Sequence, residues 1–111
     1  MPDTARLEVF YEHHRWYAEA FTDRALLLAR HPDYREMCLV WDAHMSAFRS
    51  LSRELPTNIV QLTHQLDEEL RRIIDHRSRD TLERLVTRAA WPRVVRAASE
   101  LVRALDPGPT G

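Results

Sequence analysis

The chain has 111 residues, 44% apolar and 30% charged, with a formal net charge of −1, which fits one globular domain and excludes a disordered or strongly basic class. Its one cysteine, Cys38, excludes an internal disulfide and a cysteine-built zinc site. No apolar run approaches the roughly 18 residues of a membrane span, and MPDTARLEVF lacks the apolar centre of a signal peptide, so a reducing, cytoplasmic setting is expected.

Both glycines, Gly108 and Gly111, fall in the last four residues. This removes phosphate loops, dinucleotide-binding turns and glycine hairpins from consideration. Pro32, Pro56 and Pro92 punctuate the chain instead and divide it into four segments.

In the first segment, about Thr4–Arg30, Leu7, Phe10, His14, Tyr17, Phe21, Ala25 and Leu28 recur at spacings of three and four, one stripe of a helix. Thr22-Asp23 can cap a new helix, so a break is expected there, and His31-Pro32-Asp33 reads as a turn. The second segment, about Asp33–Leu55, repeats the pattern with Tyr34, Met37, Trp41, Met45 or His44, Phe48, Leu51 and Leu55. Pro56 ends it by disfavouring helical geometry in the preceding residue. Thr57 or Asn58 can cap a third helix carrying Ile59, Leu62, Leu66, Leu70 and Ile73 and ending near Asp75. Asp80 and Glu83 have capping-box spacing for a fourth helix with Leu82, Leu85, Val86 and Ala89 inward. Pro92 either starts a fifth helix or kinks the fourth, and Val94, Ala98, Leu101 and Leu105 continue the stripe. No alternating strand pattern occurs. The expected fold is all-α: a small bundle of four to five helices with an aromatic-rich core, one domain over residues 1–106 and a disordered tail over 107–111.

The stretch FYEHHRWY, residues 10–17, raises the question of a ligand site. His14 lies on the inward stripe and His13 points about 100° away, so the two cannot chelate one ion. His44 can meet His14 if the first two helices form an antiparallel hairpin, and two imidazoles in an aromatic core can hold haem or a transition metal. His64 and Glu68, one turn apart, extend that ligand set. Di-iron bundles need Glu-x-x-His, and none of the residues three before a histidine (Phe10, Tyr11, Leu28, Trp41, Gln61, Ile73) is acidic. Hemerythrin-like bundles need paired helical histidines that this chain lacks.

Arg71 followed by His76 resembles the Arg–His pair of HEPN-type helical ribonucleases, as do Arg6–His13 and Arg24–His31, although sixteen arginines and six histidines produce such spacings by chance. AHMSAFRSLS, residues 43–52, resembles the phosphoacceptor helix of histidine phosphotransfer domains. It carries Ala47 and Phe48 where those have lysine and glycine. Cys38, flanked by Met37, Leu39 and Val40, reads as a buried, inert thiol.

All sixteen basic residues are arginine. A GC-rich coding sequence explains that without function, yet it also supplies planar bidentate donors. Residues 71–103 hold nine arginines against Asp75, Asp80, Glu83 and Glu100. Arg84 and Arg88 stand one helical turn apart, Arg96 and Arg103 two turns, as a docking face for an acidic protein surface or as a solvated outer face. With Trp91 as its single aromatic, this region lacks a nucleic-acid stacking platform.

The expected function is a non-catalytic regulatory or protein-interaction module, probably a homodimer, without a cofactor. Its partner-binding residues are Tyr11, Trp16, Arg84, Arg88, Arg96 and Arg103. The aromatic positions off the inward stripe motivate the second subunit. The contrasting readings are a haem or metal site on His14, His44, His64 and Glu68, and the helical ribonuclease.

Overall fold

The computed structural model describes residues 4–31, 33–74 and 81–105. Six α-helices follow one another, and no strand occurs among the described residues: α1 Thr4–Ala20, α2 Arg24–Arg30, α3 Tyr34–Leu51, α4 Thr57–Ile73, α5 Leu82–Leu85 and α6 Trp91–Leu105. The fold is the expected all-α bundle. The expected tail over 107–111, Asp80 of the supposed capping box and His76 of the Arg71–His76 pair all lie outside the described residues.

The helix boundaries have local causes. α1 stops at Ala20, and Asp23 starts α2 by accepting hydrogen bonds from the N–H groups of Ala25 and Leu26, a cap worth about 1 kcal/mol. Restarting the helix shifts its phase. Leu27 is fully buried, while Ala25 of the expected stripe is exposed and Leu28 half-buried. Asp33 caps α3 through the N–H of Glu36. A 3-10 turn over Ser52–Glu54 and the extended Leu55 carry the chain to Pro56, which precedes α4. Pro56 occupies the cap position without a side-chain hydrogen bond, so neither Thr57 nor Asn58 caps α4. Thr81, not Asp80, caps α5 by accepting from the N–H of Arg84. That helix ends at Leu85, turns follow, and Pro92 sits in the first turn of a separate α6, where it needs no N–H partner. Ala89, expected inward, is exposed in those turns.

One core joins the helices. Phe10, Phe21, Trp41, Phe48, Leu66, Leu70, Leu85 and Leu101 belong to a single buried cluster. α6 packs along both α4 and α1, and α1 also packs against α2 and α3. α1 is therefore covered on two sides. That explains why Leu7, Tyr11 and Tyr17 are all partly buried against the core, although they span more than one stripe. The α3–α4 contact is closed by charge: the indole N–H of Trp41 donates to Asp67 Oδ1 at 2.9 Å, and Arg71 bridges Asp67 and Asp42. Trp41 can be buried because its one polar atom is satisfied.

Candidate functional site: a buried histidine relay and the groove above it

α1 and α3 run antiparallel, with Phe10 stacked near Phe48 at 6.5 Å between ring centroids and Phe21 edge-on to Trp41 at 5.3 Å. This places His14 against His44, as the hairpin expectation required, with His14 Nδ1 and His44 Nε2 2.7 Å apart. His14 Nε2 lies 2.8 Å from Thr63 Oγ1, and the Thr63 hydroxyl donates to the Ile59 carbonyl at 2.7 Å. Aromatic rings wall the group: Phe10 and Phe48 stack on His14, and Tyr17 and Trp41 pack on His44. His14 and Thr63 are fully buried, and His44 nearly so.

The proton positions follow from counting donors. Thr63 has one hydroxyl hydrogen. The Ile59 carbonyl can only accept, so that hydrogen points to it, and Thr63 must accept from His14 Nε2–H. A neutral His14 then has a bare Nδ1, which accepts from His44 Nε2–H. His44 in turn carries its lone pair on Nδ1. The chain runs one way, from His44 through His14 and Thr63 to a backbone oxygen. Burial keeps it neutral. It pushes His14 down to about 3, with charge on His44 adding to the effect, and His44 down to about 4, with His13 adding to it.

This closure decides what the histidines can do. Both nitrogens of His14 are used, so none is left for iron or another metal without breaking a hydrogen bond. His64 is exposed on α4 and meets the edge of Phe48, whose ring stacks on His14. Glu68 is exposed in a cleft between α4 and α6 with Arg93, Arg96 and Glu100. The structure thus brings His14 and His44 together and leaves His64 and Glu68 apart from them. Among the described residues no group of three His, Cys, Asp or Glu converges as a metal site. Arg71 of the ribonuclease-like pair is committed to Asp67 and Asp42, whose charges raise its affinity for its proton further. Thr63 escaped the sequence reading. Its signal was its place at i+4 from Ile59 and i−3 from Leu66 on the buried face of α4.

Of the relay, His44 alone reaches a surface depression, a groove of about 180 Å³ lined also by Arg6, Val9, Phe10, His13, Ala47 and Leu51. His13 also lines the next hollow along α1, with Glu12, Trp16 and Tyr17. The two form a strip along the outer side of α1. Val9 is 51% exposed and Trp16 39%. Trp16 is partly covered by its own chain, with the Arg30 guanidinium 4.7 Å above its ring and Arg30 Nη1 donating to its carbonyl. Tyr11 is half-buried and edge-on to Phe10.

The four arginines of the expected docking face do not form one row. Arg84 is on α5 and Arg88 in the following turns, so they do not share a helix face. Arg96 and Arg103 are exposed on α6, and Arg96 stands beside Glu68, Glu69 and Glu100. Cys38 is fully buried. No helix among the described residues is long and apolar enough to cross a membrane.

No family model, curated protein or solved structure matches the chain.

Proposed function

We propose that the protein is a non-catalytic interaction module that docks a helix of a partner, in the first instance a second copy of itself, along the outer side of α1. The observation that supports this is the strip of Val9, His13 and Trp16. Two large apolar side chains stand two turns apart, with depressions beneath them instead of a covering element. Val9 and Trp16, with Leu39 at 55%, are the most exposed large apolar side chains among the described residues, and aromatic and aliphatic anchors over pockets are where interface energy concentrates. The histidines support the reading indirectly. Their hydrogen bonds end on a backbone carbonyl, with no exposed nucleophile in the chain, so they fix the α1–α3–α4 geometry beneath the strip. The Nδ1 lone pair of His44 adds one acceptor at the groove. Arg84, Arg88, Arg96 and Arg103 take a secondary part, as scattered positive charge toward an acidic partner surface.

Light scattering tests it. The wild-type chain at about 100 µM, a concentration that detects weak dimers, is expected to be dimeric, and Val9→Glu with Trp16→Ala monomeric with an unchanged circular dichroism spectrum. Arg84→Glu with Arg88→Glu is expected to weaken association only at low salt, because exposed charges are screened within about 8–10 Å at physiological ionic strength. A monomeric wild-type chain overturns the self-association. A dimer indifferent to the Val9 and Trp16 changes overturns the choice of face.

A further inference from the structure

A second site lies at the other end of α1, where α2 ends and α3 begins. Among the described residues, His31 Nε2 is the one buried side-chain nitrogen or oxygen with no hydrogen-bond partner. Buried polar atoms are nearly always paired, so each exception calls for an explanation such as a missing ligand or water. The His31 ring is 3% exposed, held by an edge contact to Trp16 at 5.8 Å and a stack on Tyr17 at 6.4 Å. Burial, helped by the charge of Arg30, holds the imidazole below its ordinary range, so at neutral pH it is uncharged and one nitrogen offers a lone pair.

His31 forms one wall of a cavity of about 180 Å³. Leu28, Tyr34 and Leu82 supply apolar walls, and Asp33 and Glu83 supply carboxylates. Asp33 uses Oδ1 to cap α3 and keeps its other oxygen. The lining contains no basic side chain besides the imidazole. Arg30, adjacent in sequence, is turned away onto Trp16. Two carboxylates and an imidazole lone pair are three acceptors, and an alkylammonium carries three N–H donors.

The geometry points to a binding site for a small primary amine, whose ammonium donates to Glu83, Asp33 and His31 while its alkyl body rests on Leu28, Leu82 and the Tyr34 ring. A cavity of about 150 Å³ accepts a benzene-sized molecule, so an amine of roughly six to eight heavy atoms is the right size. The site is separate from the α1 strip and independent of whether the chain dimerises.

The test titrates the full-length ¹⁵N-labelled chain with isoamylamine. Isoamyl alcohol and isovalerate, which share its branched skeleton, serve as controls. The expected result is a set of saturable amide shifts at His31, Tyr34 and Leu82, with a change in the His31 ring nitrogens, for the amine alone. Glu83 is exposed, so Glu83→Gln leaves the fold intact, and it is expected to weaken the amine about tenfold by removing one charge-assisted hydrogen bond. No saturable shift by about 10 mM amine, which corresponds to negligible affinity, overturns the site. An equal response to the alcohol, or Glu83→Gln binding as well as wild type, overturns the ammonium assignment.

Discussion

Acidification from pH 7.5 to pH 5 is expected to destabilise the fold through two side chains. In the folded chain His14 and His44 hold their protons only below about 3 and about 4, against an ordinary value of 6.5. Between pH 6.5 and 4 the unfolded chain therefore binds protons that the folded chain refuses, and stability rises with pH across that window. At pH 5, one and a half units below the ordinary value and at about 1.4 kcal/mol per unit, each histidine withdraws about 2 kcal/mol, or about 4 kcal/mol for the pair. A domain of this size is typically stable by about 5–15 kcal/mol, so the loss is a large share of the total. His31, displaced in the same direction, adds to it. The hydrogen bond between the rings sets a further limit: one added proton can be shared, but two leave N–H facing N–H at 2.7 Å. Urea melts followed by Trp41 fluorescence at pH 7.5, 6 and 5 measure the effect. A His14→Gln, His44→Gln double variant should be weaker at pH 7.5 and much less pH-dependent. A wild-type unfolding free energy constant to within about 0.5 kcal/mol from pH 7.5 to 5, the size of an ordinary surface effect, would refute the buried neutral relay.

Thr63→Val, nearly isosteric, should cost about 1–3 kcal/mol because it strips His14 Nε2–H of its buried acceptor, whereas Thr63→Ser, which keeps the hydroxyl, should cost less; chemical denaturation compares them. The relay direction predicts that long-range ¹H–¹⁵N spectra at pH 7.5 show both His14 and His44 protonated on Nε2 and bare on Nδ1, and the opposite tautomer in either ring would break the donor count. Cys38 should react slowly with a thiol reagent in the native chain and rapidly in denaturant, and fast native labelling would contradict its burial.

How far the sequence carried differs between helices. α3 was legible throughout. Its stripe from Tyr34 to Leu51 is buried as expected, and the choice between His44 and Met45 was unnecessary, since both are inside. α1 was legible on one side only. Spacing identifies a stripe, but not how many neighbours a helix will have, and with α6 packed beside it α1 buries Ala18 and half-buries Tyr11 beyond the Phe10–His14–Phe21 row. Tyr11 thus finds cover within its own chain, and the exposed apolar residues are Val9 and Trp16. Past Ala20 the phase was lost, because a capping Asp restarts the helix without preserving rotation. In the candidate site, the meeting of His14 and His44 was within reach of pattern reasoning. Thr63, which decides the relay's direction, was not, because a threonine on an apolar stripe resembles any small core residue until its partner is known. His31 gave no signal beyond standing before a proline.

The pairing of α1 with α6 also bears on how the chain is made. The helix over residues 4–20 leaves the ribosome early, and the helix that covers its second side, residues 91–105, leaves last. At roughly 5–20 residues per second the interval is on the order of ten seconds. Throughout it Ala18, Tyr11 and Leu7 have only part of their native surroundings. The long sequence separation of that contact makes it a late and entropically expensive step. A stalled or truncated product that stops before Val94 would keep the α1–α3 hairpin and its histidine pair while leaving an apolar flank uncovered. Such fragments are natural substrates for chaperones and proteases.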